Sequence, residues 1–388
     1  MDTTSLKIPC VLMRGGTSRG LIFKDTDLPI EKKMREEVIL KIYGSSANGQ
    51  IDGIGGGTSV TSKVAIVGMT DTNDSDIYYN FGQVGINQKS IDYNVTCGNM
   101  ASAVGLYAVE EGLVKREDGE TTVRILNTNT NKIMEVRVPV YQGEIKSVGD
   151  FSISGVEGTG AKITVSFIDS SGAFTGKLLP TGNLVDYIKM DEITYKVSIL
   201  DTGNIVAFVK ASDFSLEGFE LSKDINERQT SKAIEKLRVK VGVLLGLFSD
   251  EDNVNNELEA LPKIALVSEP KDYITEQGSL IKKENINIIG RYISMGKLHP
   301  AFAVSGSICL ATACKIPGTV PATVCQKDML NTIEIGHPSG TISSEVFIQK
   351  NESAYKLIKG GTGRTARRIM EGNAVIPISL MDRKWKYE

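Results

Sequence analysis

Two stretches of this chain, one in each half, follow a single plan. The first opens with an apolar run, Ile8 to Met13, a turn Gly15-Gly16-Thr17-Ser18, a second apolar run Leu21 to Phe23, and then Lys24. The second opens with Val197 to Leu200, a turn Asp201-Thr202-Gly203-Asn204, the run Ile205 to Val209, and Lys210. Both read as strand, glycine turn, strand. Further along, Cys97-Gly98-Asn99 leads into a small, apolar, helix-like stretch, Met100 to Glu111, and Ser305-Gly306-Ser307 leads into Ile308 to Lys315 in the same style. Paired strand-like runs follow each: Thr122 to Leu126 with Ile133 to Val140, and Thr332 to Ile335 with Ser343 to Ile348. A plan used twice constrains the fold to two units of one architecture.

The other segments agree with that reading. Ile30 to Tyr43 and Ile225 to Phe248 have helical periodicity, and Ala161 to Ile168 and Ile264 to Val267 are rich in β-formers. The fold class expected is α+β: two similar domains, each a mostly antiparallel sheet rolled around an apolar central helix. At 388 residues each half can bury a core of its own. The expected division is residues 1–182, carrying Lys63 and Cys97, and residues 183–375, with the boundary in Leu179 to Asp191 and the segment 376–388 returning to complete the first domain.

Composition narrows the chemistry. A net charge of −3 offers no nucleic-acid or anionic-membrane surface, so an anionic substrate must be held by local features. The N-terminus lacks an apolar stretch of signal length and no run is long enough to span a bilayer, so a soluble cytoplasmic protein is expected. Five cysteines without CxxC spacing argue against a disulfide framework and a zinc cluster, and no metal site is expected. With only His299 and His337 present, acid–base work falls to Lys, Cys, Asp, Glu or Tyr. The oligomeric state stays open, a homo-oligomer included.

The most unusual segment is Gly53-Ile54-Gly55-Gly56-Gly57-Thr58-Ser59-Val60-Thr61-Ser62-Lys63. Such glycines let backbone amides approach an anion, and Gly56 and Gly57 are candidate donors; the plain alternative is a glycine-rich connection between strands. It fits neither the Walker nor the dinucleotide spacing. Lys63 precedes the apolar strand Val64 to Val67, where partial desolvation would favour its neutral, basic form. Cys97 stands at the start of a buried helix, where amides favour a thiolate or a bound carboxylate, although a free cysteine is often just a small buried hydrophobe. Cys10, Cys309 and Cys314 read as core, and Cys325 has no assignment. Ser305, Gly306 and Ser307 are the second-half counterpart of Cys97-Gly98-Asn99, able to hold a carboxylate at a helix start or to act as a simple cap. Lys297 and His299 are further candidates upstream of that helix, and His337 reads as a turn residue. The run Gly360 to Arg368 reads as a loop leading into a basic amphipathic helix.

Taken together, Gly15-Gly16-Thr17-Ser18-Arg19-Gly20, the Gly55 to Lys63 run, Cys97-Gly98-Asn99, Asp201-Thr202-Gly203-Asn204 and the stretch His299 to Cys314 resemble the PrpF family over nearly the whole chain. The resemblance implies a diaminopimelate-epimerase-like fold with the active site in the cleft between the two domains. It implies a catalytic lysine and cysteine, which fall on Lys63 and Cys97, and action without metal, flavin or pyridoxal phosphate on small unsaturated carboxylates such as 2-methylaconitate, methylitaconate or oxalomesaconate. Ser305 stands where two-thiol epimerases of this fold carry their second cysteine, which argues against a racemase. The expected activity is migration of a C=C bond by proton transfer, best matched by conversion of methylitaconate to dimethylmaleate, with 2-methylaconitate isomerisation or oxalomesaconate tautomerisation as the alternative. Thr17, Ser18, Gly56, Gly57, Gly98, Asn99, Ser305, Gly306 and Ser307 are the expected carboxylate donors. Outside enzymes, the competing reading is a carboxylate-binding accessory protein, with a phosphate binder weaker still.

Overall fold

The computed structural model describes residues 5–45, 48–225, 228–250, 261–294, 296–326, 332–351 and 354–377. Its frame is a sheet that closes on itself in the first half. Ser5–Gly15 pairs antiparallel with Ser18–Lys24 through the glycine turn, and Ser18–Lys24 runs parallel to Lys63–Met69. From there the ladder continues antiparallel to Ile77–Val84, parallel to Gly119–Asn127, antiparallel to Lys132–Tyr141 and antiparallel to Ile163–Ile168. Tyr355–Arg364 adds to the edge of Ile163–Ile168, and the chain continues past Thr365 as Ala366–Pro377, which lies antiparallel to Ser5–Gly15 and closes the ring.

The second half repeats this order of pairing. Ile193–Asp201 is antiparallel to Ile205–Lys210, which is parallel to Lys263–Ser268; that strand is antiparallel to Ile288–Ser294, which is parallel to Thr332–His337. Gly340–Lys350 and then Tyr355–Arg364 follow, both antiparallel. Tyr355–Arg364 therefore belongs to both sheets. Within each half, the two parallel steps demand crossovers, since parallel neighbours cannot be joined by a hairpin. Helices supply them. An outer helix, Lys32–Tyr43 or Arg228–Leu244, spans the first crossover, and an inner one, Gly98–Glu110 or Val304–Lys315, spans the second.

The inner helices have no polar face because they have no solvent face. Every residue from Gly98 to Val109, and from Val304 to Cys314, is buried. Small residues let the sheet close around them: a Cβ on Gly105 would come 2.3 Å from Val136 Cγ1. The enclosing strands alternate with period two, as in Lys132–Tyr141, where Met134, Val136, Val138 and Val140 point inward. Each such aliphatic side chain contributes roughly 1.5–3 kcal/mol by leaving water.

Three sequence expectations need correction. Gly360 to Arg368 forms no helix; it holds the end of one strand and the start of the next, because Leu357, Gly360, Thr362 and Arg364 face inward at every second or third position while the intervening residues face out. The return to the first half also begins earlier than residue 376, at Ala366, and residues 378–388 lie outside the described residues. The long helix expected over Ile225 to Phe248 is a short turn, Ser222–Ile225, followed by Arg228–Leu244. No described helix is long and apolar enough to cross a membrane.

Candidate functional site

The two inner helices meet by their N-termini, so close that a Cβ on Gly98 would lie 2.5 Å from Val304 Cγ1. Beside this meeting point is a small cavity of about 50 Å³. Lys63, Cys97, Gly98, Asn99 and Ser18 line it from the first half, and Asn204, Lys263, Tyr292, Ser294, His299 and Ser305 from the second. Among the described residues the lining holds two lysines and no carboxylate.

Lys63 is the first residue of its strand, level with Gln83 on the antiparallel neighbour. Its ammonium donates to Gln83 Oε1 at 2.8 Å and lies 5.1 Å above the Phe81 ring. Gln83 is itself oriented by donating to the Ser62 carbonyl at 2.9 Å, and the Tyr43 hydroxyl donates to the Lys63 carbonyl. The lysine is thus fixed at both backbone and side chain. Cys97 is the N-cap of its helix: the Met100 amide donates to Sγ at 3.5 Å. The first bond inside the helix runs from Ala101 N–H to the Cys97 carbonyl, so the amides of Gly98 and Asn99 have no helical acceptor and face the N-terminal end, where an anion is favoured.

Asn99 links this end to a buried cation. Its Nδ2 donates to Thr17 Oγ1 at 3.0 Å, and its Oδ1 accepts from Arg364 Nε at 3.0 Å. Arg364 also donates to the Gly363 carbonyl at 2.7 Å. Burial pushes its guanidinium down to about 9, and the pull in the other direction comes from Cys97. His299 is buried and accepts from the Ala301 amide at Nδ1, 3.1 Å. Desolvation, then the charge of Lys63, with smaller contributions from Lys263 and Arg364, pushes it down to about 4, so it is neutral near pH 7. Three buried polar atoms on this lining have no partner among the described residues: Ser18 Oγ, Asn204 Oδ1 and the Tyr292 hydroxyl.

The sequence-predicted residues divide accordingly. Lys63, Cys97, Ser18, Gly98, Asn99, Ser305 and His299 come together on one cavity, and Thr17 supports it through Asn99. Gly56 and Gly57 do not reach it. The Gly57 amide is directed away, to Gln50 Oε1 at 3.0 Å, and Gln50 also accepts from Ser62, fixing the loop to Gln50. Gly57 and the exposed Lys297 instead line a wider cleft of about 420 Å³ that shares Ser294 with the cavity. Gly306 packs against Tyr292 and Phe302, and Ser307 is already bonded through its amide to the Ala303 carbonyl, with its hydroxyl accepting from Ser344. Nor do the two helix starts match position for position: Cys97 is an N-cap, whereas Ala303 caps the second helix and Ser305 lies inside its first turn, accepting from Asn204 Nδ2. Sequence reasoning missed Gln83, Lys263, Tyr292, Ser294 and Arg364. For Lys263 a signal existed, since Lys263-Ile264-Ala265-Leu266-Val267 repeats Lys63-Val64-Ala65-Ile66-Val67. Among the described residues no cluster of three or more His, Cys, Asp or Glu side chains is placed to hold a metal ion.

Two halves of one plan, each a sheet around a buried helix, thus bring an amine and a thiol to one cavity. The chain belongs to the PrpF family, whose profile, described as PrpF protein, it matches over residues 5–377. It is 39% identical to the 3-methylitaconate isomerase of Eubacterium barkeri, covering 95% of this chain and 96% of that one. Identity to the 2-methyl-aconitate isomerase of Shewanella oneidensis is 33%, covering 96% and 97%. A solved methylitaconate-delta-isomerase superposes with a TM-score of 0.81 at 37% identity, covering 99% of each chain.

Proposed function

We propose that this chain moves the C=C bond of methylitaconate to give dimethylmaleate, with Lys63 and Cys97 transferring the proton. The observation that carries the reading is the cavity itself. An amine and a thiol line one small cavity whose described lining carries two lysines and no acidic side chain, and so it suits a dianion with an acidic C–H. In methylitaconate the carbon bearing the methyl group carries a proton flanked by a carboxylate and a C=C bond. Removing it leaves an allylic anion delocalised onto a carboxylate, and protonation at the methylene terminus converts that carbon to a methyl group and shifts the double bond. One of Lys63 and Cys97 takes the first proton and the other delivers the second. The amides of Gly98 and Asn99, at a helix N-terminus backed by the Arg364 guanidinium, are placed to hold the carboxylate on which charge develops.

Similarity to the named methylitaconate isomerase supports the dicarboxylate over 2-methylaconitate, which carries a third carboxylate and needs a further donor. The test is incubation of the protein alone with methylitaconate, 2-methylaconitate and oxalomesaconate in heavy water, followed by proton NMR. Loss of the methylitaconate vinyl signals and growth of dimethylmaleate, with deuterium in a product methyl group, is the expected result. Conversion of a tricarboxylate with methylitaconate left untouched would reassign the substrate, and no exchange in any of the three would favour the accessory-protein reading.

A further inference from the structure

The repeat places a second lysine where the first half has Lys63. Lys63 opens a strand that runs parallel to Ser18–Lys24; it lies level with Gln83, and two residues on Ala65 lies level with Phe81. Lys263 opens the strand that runs parallel to Ile205–Lys210, and two residues on Ala265 lies level with Tyr292. That register sets Lys263 beside Ser294, and its ammonium donates to Ser294 Oγ at 2.9 Å. Lys63, Gln83 and Phe81 thus have Lys263, Ser294 and Tyr292 as their counterparts, and all six side chains line the same cavity.

The two sets differ in one informative way. Phenylalanine in the first half is tyrosine in the second, and the tyrosine hydroxyl is fully buried on the cavity with no partner among the described residues. A buried hydroxyl without a partner is unfavourable and calls for a reason. Burial also raises its pKa, which keeps the proton in place for donation. An ammonium and a phenol on one face of one sheet make a receptor for a carboxylate. No thiol stands at the start of the second inner helix, so this side of the cavity lacks the pair found on the other.

We infer that Lys263 and Tyr292 form the subsite for the substrate carboxylate remote from the acidic carbon. The repeat has become a division of labour: the first half carries out proton transfer and the second half selects a dicarboxylate. This rests on the dicarboxylate reading above, but it is a statement about binding and has a test that needs no turnover. Methylsuccinate, the saturated analogue, has no allylic proton to lose. Its binding is measured by calorimetry on the full chain with Lys263→Met, Lys263→Arg and Tyr292→Phe, alongside methylitaconate kinetics. A desolvated charge pair lost at one end gives a large binding defect. Lys263→Met is expected to weaken methylsuccinate binding and raise KM by at least ~50-fold while kcat falls less than ~10-fold, and Lys263→Arg to recover binding to within ~10-fold of wild type. Tyr292→Phe, which installs the first half's residue, is expected to cost about 5–10-fold in KM. One of the two half-amides of methylsuccinate should bind Lys263→Met and wild type equally. Wild-type affinity for methylsuccinate in Lys263→Met, or no methylsuccinate binding by wild type, would overturn the subsite, as would a loss of kcat at unchanged KM. Methylsuccinate binding that depends on Lys263, in a protein that isomerises none of the three carboxylates, would leave the subsite standing and remove the isomerase reading.

Discussion

His299 and His337 are the only histidines, and both are buried without charge. Desolvation leads in each case. The nearby charge of Lys63 adds to it at His299, which is pushed down to about 4, and that of Arg291 at His337, which is pushed down to about 3. An unfolded histidine titrates near 6.5, so as pH falls below that value the unfolded chain binds protons that the folded one refuses. Stability is therefore full above about pH 6.5 and falls as the solution is acidified toward pH 4. Each histidine contributes a slope of up to ~1.4 kcal/mol per pH unit in that window. Urea unfolding at a series of pH values should show His337→Gln with a slope shallower than wild type by about one proton; an unchanged slope would mean that His337 is protonated in the folded chain. At this scale the sequence was legible where chemistry announces itself. Lys63 precedes an apolar strand and Cys97 a glycine-led helix, and both line the cavity. The aim of a backbone amide is not so written: Gly57 looked like an anion donor, but Gln50, seven residues away, holds its N–H. Arg364 was hidden because its neighbour Asn99 lies 265 residues away in the chain.

Elements carry the repeat more faithfully than residues do. The hairpins, both inner helices and the strand pairs behind them could be read because glycine turns and period-two alternation are local signals. The sense of pairing, antiparallel then parallel twice over in each half, was not local and emerged only with the crossover helices in place. The basic strand Ala366–Pro377 was misread because its outward face is polar along most of its length, with Arg368 bonded to Glu110 at 2.8 Å and to Glu111 at 2.9 Å at the end of the first inner helix. Where the inner helices meet, Gly98 is the contact. Its backbone is helical, so alanine costs nothing in conformation, and the added methyl collides with Val304 alone at under 3.0 Å. Gly98→Ala should lower stability by about 1–3 kcal/mol and impair turnover, through overpacking at the lobe junction. The double variant with Val304→Gly, which removes both Val304 atoms that the methyl would strike (Cγ1 at 2.5 Å and Cβ at 2.7 Å), should lose less stability in denaturant unfolding than the two single losses added, and additive losses would show that the contact is not the cause.

At the scale of the molecule the site is small. A cavity of about 50 Å³ is far below the ~300–1,000 Å³ typical of ligand pockets, while the adjoining cleft is about 420 Å³ and is bordered by Gly57 to Val60, by Ile86 to Gln88, and by Lys297, Leu298 and Pro300. The cleft shares Ser294 with the cavity, so methylsuccinate should slow amide hydrogen exchange in these three segments and leave the distant hairpin at Gln142 and Gly143 unaffected. The central claim is that Lys63 and Cys97 hand a proton across this junction. Turnover of methylitaconate by Lys63→Ala and by Cys97→Ala, measured beside their thermal unfolding, tests it most directly. Each variant should lose at least ~10³-fold in kcat, with its unfolding transition within a few degrees of wild type; near-normal turnover in either folded variant would remove that residue from the proton transfer.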